Sequence, residues 1–144
     1  MQPGANVKHV IDVAVRLRVE GHRSIGPGKI RLLELINEHG SISAAGREME
    51  MAYSHAWTLV NSLNETFAEP VVAGRPGGPD GGGARLTSFG SELVRRYRAI
   101  ERSARAACDE NVRALETVAA PTGRKRRRAG EPAGRTGASI RREQ

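Results

Sequence analysis

Residues 41–57 read Ser41-Ile-Ser-Ala-Ala-Gly-Arg-Glu-Met-Glu-Met-Ala-Tyr-Ser-His-Ala-Trp57, and a helical run carries this stretch on to Phe67. The pattern is that of two short helices joined by a tight turn. Ser43 suits the N-cap of the first, with Arg47 and Glu48 in its second turn. Ala44 and Ala45 are small enough for a close helix crossing. The second helix is expected over about Ala52–Phe67. Ala56, Leu59, Val60, Leu63 and Phe67 recur there at helical spacing on one face.

Downstream lies Arg75-Pro-Gly-Gly-Pro-Asp-Gly-Gly-Gly-Ala-Arg-Leu-Thr87. Pro70–Arg75 reads as a short strand and Ala84–Leu86 as its return. Glycine fills five of the eight positions from Pro76 to Gly83, which makes a hairpin tip able to approach a ligand closely. Two helices and then a basic hairpin are the parts of a winged helix-turn-helix, which sets one helix in the DNA major groove. The expected fold class is mainly α with a small β-sheet (α+β).

Upstream, Ile11 to Val19 alternate. Val13, Val15, Leu17 and Val19 are apolar and Asp12, Arg16 and Arg18 polar, so a half-buried strand is expected. Gly21–Gly28 connects it to a helix holding Ile30, Leu32, Leu33, Leu35 and Ile36, which stops at Gly40. Its apolar face is too wide for one partner, so the long last helix or another subunit must cover part of it. That last helix, capped by Thr87, is expected to run to about Val118. It carries a 4–3 repeat at Leu93, Tyr97, Ile100, Ala104, Ala107, Asn111, Ala114 and Val118. At roughly 30 residues it would span about 45 Å and project from the domain to pair with a copy of itself. The alternative is a break near Ala107, with the helix packing back on its own domain.

The 144 residues divide into a flexible lead (1–10), one domain (11–119) and a basic tail (120–144) expected to be disordered. Apolar residues make up 38% and aromatics only 3%, so the core must come from Leu, Ile, Val and Ala. The net charge is +7, but residues 121–144 hold eight of the 23 Lys/Arg and two of the 16 Asp/Glu, so the body is almost neutral. A body of that kind must gather its positive charge on one face to bind DNA. No apolar run can span a bilayer, no signal segment opens the chain, and the single Cys108 excludes an intrachain disulfide. The expected address is therefore the cytoplasm, in association with the nucleoid.

Candidate reading residues on the second helix of the motif are Tyr53, Ser54, His55, Trp57, Thr58 and Asn61. Asn can bond adenine bidentately, Ser and Thr can donate or accept, and Tyr can reach a phosphate. Trp57 reads equally as a ring covering the edge of the core, and His55 as an ordinary hydrogen-bonding residue. No Arg or Lys occupies this helix, which makes guanine reading poor. The wing candidates are Arg75, Gly77, Gly78, Gly81, Gly82, Gly83 and Arg85. The bland reading of that loop is a solvent loop with incidental arginines. Arg124, Lys125, Arg126, Arg127 and Arg128 in the tail should bind polyanions, or merely solubilise the chain. No metal motif, P-loop or nucleophile elbow is present, so neither an enzyme nor a cofactor is expected.

The span from Val13 to about Arg102 resembles the N-terminal DNA-binding domain of the ModE family of molybdate-responsive regulators. The residues that carry this are Gly40-Ser-Ile-Ser-Ala-Ala45, Tyr53–Trp57, Asn61–Asn64, and Gly77–Thr87 with Gly90. The first segment alone would also fit the LysR-type helix-turn-helix. The resemblance implies a homodimer built on the first helix and the long last helix, with Ile30, Leu33, Leu93, Tyr97, Ile100 and Ala104 as interface candidates. It also implies a recognition helix around Tyr53–Asn61 and a wing at the glycine hairpin. Family members that sense molybdate carry C-terminal oxyanion-binding domains, whereas a short basic tail stands here, so no molybdate site of that kind is expected. A separate sensor protein could supply the signal. The sequence thus points to a dimeric transcription regulator reading a short inverted repeat in double-stranded DNA. The rivals are a nucleoid-type architectural protein without an operator and a protein-interaction module.

Overall fold

The computed structural model describes residues 10–74 and 83–119. The elements run α1 (Pro27–His39), α2 (Ile42–Glu48), α3 (Tyr53–Thr66), β1 (Val72–Gly74), β2 (Ala84–Leu86) and α4 (Ser88–Glu116). This is the α+β arrangement of a winged helix, with one small antiparallel sheet pairing Val72 with Leu86 and Gly74 with Ala84.

α1 is the hub. Pro27 starts it where a missing N–H costs nothing, and Gly40 ends it at φ 69, donating to the Ile36 carbonyl at 2.8 Å. Ile30, Leu32, Leu33, Leu35 and Ile36 are all buried, because α2, α3, α4 and β2 surround the helix. The wide apolar face therefore finds its partners within the chain. Ser41, not Ser43, caps α2, its hydroxyl accepting from the Ala44 N–H at 3.2 Å. Ala45 is buried, and the α2–α3 crossing is close at Gly46, where a Cβ would stand 3.2 Å from that of Ala56. The turn between these helices is closed by Glu50 N–H to Arg47 O (3.0 Å) and Met51 N–H to Gly46 O (3.0 Å), with Glu50 at φ 56.

The sheet is tied to the helices at several points. Ala84 donates to the Gly40 carbonyl at 2.9 Å. Thr87 caps α4, accepting from the Gly90 N–H at 2.9 Å while its hydroxyl donates to the Pro70 carbonyl at 2.6 Å. Phe67 and Phe89 meet edge to face at 5.1 Å, joining the end of α3 to the start of α4.

The strand expected over residues 11–19 does not form. The segment is extended and alternates between half-buried and exposed residues, as its pattern required, but only Leu17 pairs, with Ile25. The half-buried side lies along α4 instead of joining a sheet. The Tyr97 hydroxyl donates to the Val15 carbonyl at 2.6 Å, Arg105 meets Asp12 at 2.8 Å, and the Ile11 N–H reaches Glu116 at 3.4 Å. Alternation reports one covered side of an extended chain, and a helix can provide the cover as well as a sheet. The chain then doubles back through Gly21 at φ 77, with the His22 N–H donating to the Val19 carbonyl at 3.0 Å.

Candidate nucleic-acid interface

α3 buries Ala56, Val60 and Leu63 and turns its other side outward. Tyr53 is 58% exposed and Trp57 51%, so Trp57 is a surface residue and not a cover for the core. Ser54, His55 and Thr58 are exposed as well. The Thr58 hydroxyl donates to the Ser54 carbonyl at 2.8 Å, leaving its lone pairs outward. Asn61 is half-buried and donates from Nδ2 to the Glu65 carboxylate at 3.0 Å.

At about 100° per residue, these side chains fall on two flanks of α3. Tyr53, Trp57 and Asn64 lie toward the β1–β2 hairpin. Thr58, Asn61, Ser62 and Glu65 lie toward the Gly21 turn. Each flank borders a hollow. Tyr53 shares a cavity of about 390 Å³ with Ser41, Ile42, Ser43, Gly83 and Ala84. Gly21, His22 and Arg23 share one of about 220 Å³ with Thr58, Asn61, Ser62 and Glu65.

Asn64, whose role was not read from the sequence, sets the hairpin against α3. Its Oδ1 accepts from the N–H groups of Val71 (2.8 Å) and Val72 (3.1 Å), and its Nδ2 donates to the Val72 carbonyl at 3.4 Å. An asparagine near a helix end carries no sign of this, since both partners depend on the chain folding back. Arg85 is exposed on β2 and Gly83 half-buried at its start. The other wing candidates, Arg75, Gly77, Gly78, Gly81 and Gly82, and the tail residues Arg124, Lys125, Arg126, Arg127 and Arg128, lie outside the described residues.

Four of the six interface candidates lie inside the subunit. Ile30, Leu33, Leu93 and Tyr97 are buried in the core of their own subunit and present no outer surface. Ile100 is 42% exposed and Ala104 half-buried. Of the 4–3 repeat, Leu93 and Tyr97 face inward, whereas Ala107, Asn111, Ala114 and Val118 are exposed, as is Leu115. α4 is continuous and does not break near Ala107. On its inner side Arg98 bridges Glu34 of α1 (2.6 Å) and Glu101 (2.8 Å). Its hydrogen bond holds the Glu34 carboxyl below its ordinary range, and the same pair of carboxylates pushes the Arg98 guanidinium up.

No family model matches the chain. Curated relatives do match it. The molybdenum-pterin-binding protein MopA of Rhodobacter capsulatus is 41% identical over 88 residues, 61% of this chain and 33% of that protein. The molybdenum transport protein ModE of Azotobacter vinelandii is 38% identical over 90 residues, 62% of this chain and 33% of that protein. The DNA-binding transcriptional dual regulator ModE of Escherichia coli K12 is 31% identical over 86 residues, 60% of this chain and 33% of that protein. Over the matched residues the chain is similar to ModE and molybdenum-pterin-binding proteins. The chain spans about a third of the length of these relatives. Among the described residues, no helix is long and apolar enough to cross a membrane.

Proposed function

We propose that the chain is a DNA-binding transcription regulator that presents α3 to the major groove and the β1–β2 hairpin to the adjoining backbone. The observation that carries this reading is the exposed row Tyr53, Ser54, His55, Trp57 and Thr58, beside a hairpin anchored to the same helix by Asn64. A duplex can reach all of it without the fold opening. The name of the Escherichia coli relative, a DNA-binding transcriptional dual regulator, supports the same class. Asn61 begins from a bond to Glu65, so a base contact from it exchanges that bond for one to adenine. The tail and the glycine tip add phosphate contacts that hold for any sequence.

The active form is a homodimer joined through the outer side of α4. Leu115 (57% exposed) and Val118 (80%) continue the apolar line from Ile100, beyond the part of α4 that covers its own domain. Two copies joined there would offer two α3 helices to an inverted repeat.

A second reading is an architectural protein without an operator. It is favoured by the lack of Arg and Lys on α3, which removes the commonest guanine contact. Footprinting on genomic DNA separates the two. Discrete protected sites with two-fold sequence symmetry support the regulator, broad coverage supports the second reading, and no protection at all removes both.

A further inference from the structure

Resting on the DNA-binding reading, we propose that the Leu17–Ile25 hairpin is a second DNA-contacting arm, with Arg23 and Lys29 taking phosphodiester groups on the flank of α3 opposite the β1–β2 hairpin.

Placement is the first argument. The Gly21–Arg23 turn borders the cleft of about 220 Å³ whose other wall is Thr58, Asn61, Ser62 and Glu65 of α3. Lys29 reaches across from α1 to α3, its Nζ donating to the Ser62 hydroxyl at 3.3 Å. A duplex seated on the outer side of α3 has phosphates on both flanks of that helix. The β1–β2 hairpin stands on one flank, and these cations stand on the other.

Charge is the second. Arg16 donates to the Ser24 hydroxyl at 3.1 Å, and its guanidinium carbon lies 3.6 Å from where a Cβ on Gly26 would be, over the start of α1. A helix N-terminus favours anions, yet the first turn of α1 holds no acidic residue. Among the ion pairs of the described residues, none involves Arg16, Arg18, Arg23 or Lys29, whereas Arg31, Arg95, Arg96, Arg98, Arg105 and Arg113 all have carboxylate partners. Burial, and then the nearby Arg23 and Arg16, push the Lys29 ammonium down from its ordinary value. In a nearly neutral body, cations crowded together with no carboxylate ion-paired to them are arranged for an external anion. α3 itself carries no cation, so the phosphates beside it must be met by its neighbours.

Glu65 shapes the contact. It lines the same cleft and holds the Asn61 amide. Its exposed carboxylate repels phosphate on the α3 wall, leaving the contact to Arg23 on the opposite rim and to Lys29, which lies outside the cleft lining. Gly21, with no side chain at φ 77, lets that rim approach the backbone closely.

The test is fluorescence anisotropy with a labelled mixed-sequence duplex of about 30 base pairs, roughly three helical turns, titrated with salt. Arg23→Gln and Lys29→Gln are each expected to weaken binding roughly fivefold near 0.15 M salt and to lower the salt slope by about 0.9. The double variant should lose both increments, and Arg23→Lys should keep the slope. Melting curves verify folding. Should Lys29→Gln melt early, Arg23→Gln on the exposed turn decides alone. A wild-type protein that binds with a steep slope, beside variants with the same affinity and slope, overturns this inference and leaves the DNA-binding reading standing. A wild-type protein that binds no duplex removes both.

Discussion

The carboxamide of Asn64 holds the backbone of Val72 at two points, accepting from its N–H at 3.1 Å and donating to its carbonyl at 3.4 Å. With the further bond from the fully buried Val71, this clamp makes the last turn of α3 and the first strand of the hairpin one rigid piece. Asn64→Ala leaves two backbone N–H groups without their acceptor and should cost about 2–3 kcal/mol in urea denaturation. Asn64→Asp keeps the acceptor and loses only the bond to the carbonyl, so it should be the milder of the two. Equal losses would show that the Nδ2 bond dominates.

Gly90 allows the start of α4 to lie against β1. A Cβ there would stand 2.1 Å from the Val71 carbonyl oxygen, a backbone atom that cannot swing aside. Gly90→Ala should therefore cost about 3 kcal/mol or more, although alanine is the better helix former. A thermal melt that holds or rises would contradict the close approach.

The Glu34–Arg98 pair gives stability a pH dependence of definite sign. The folded carboxyl titrates below its ordinary value, chiefly because Arg98 donates to it at 2.6 Å. Its contribution is thus fully present above about pH 4.3, the unperturbed glutamate value, and is lost as pH falls through the lower folded value. Melting temperatures of wild type and Glu34→Gln, compared from neutral to acid pH, should converge on the acid side. Arg98→Met strands the buried Glu101 and should cost about 2–3 kcal/mol at neutral pH.

Trp57 stands half in solvent, so Trp57→Ala should leave the melt nearly unchanged. Its expected effect is on duplex binding, weakened about tenfold if the ring contacts the groove, comparable to one stacking or base contact. Binding equal to wild type would take Trp57 out of the interface.

Ile100→Asp sets a charge on the outer side of α4 without touching the core. Light scattering should report a shift from dimer to monomer, with the subunit melt held within about 0.5 kcal/mol in the monomeric range. A dimer that persists would move the contact elsewhere on α4.

The helices and the hairpin were legible in the sequence because each is marked locally. Apolar spacing in Ala56–Leu63, the glycine stop at Gly40, the Thr87 cap and the glycine-rich loop are short-range signals, and their elements formed within a few residues of the expected bounds. The alternation over residues 11–19 was equally visible and was misread. It records that one side is covered, but not whether a strand or α4 covers it. Four of the interface candidates on α1 and α4 lie inside the subunit, misread for a related reason. An apolar repeat looks the same whether it meets its own domain or a second copy, and Leu93 and Tyr97 meet their own.

The sequence by itself determined the order and kind of the elements, the side of α3 that packs inward, and the scarcity of cations on its outer side. Those depend on neighbours along the chain, at spacings set by helix geometry. Only the tertiary structure decided which flank of α3 each loop borders, that Asn64 clamps the hairpin, and that Arg16 and Arg23 gather about Lys29, which reaches Ser62. Such contacts join residues far apart in sequence, and their partners are specified by packing around α1 and not by local preference.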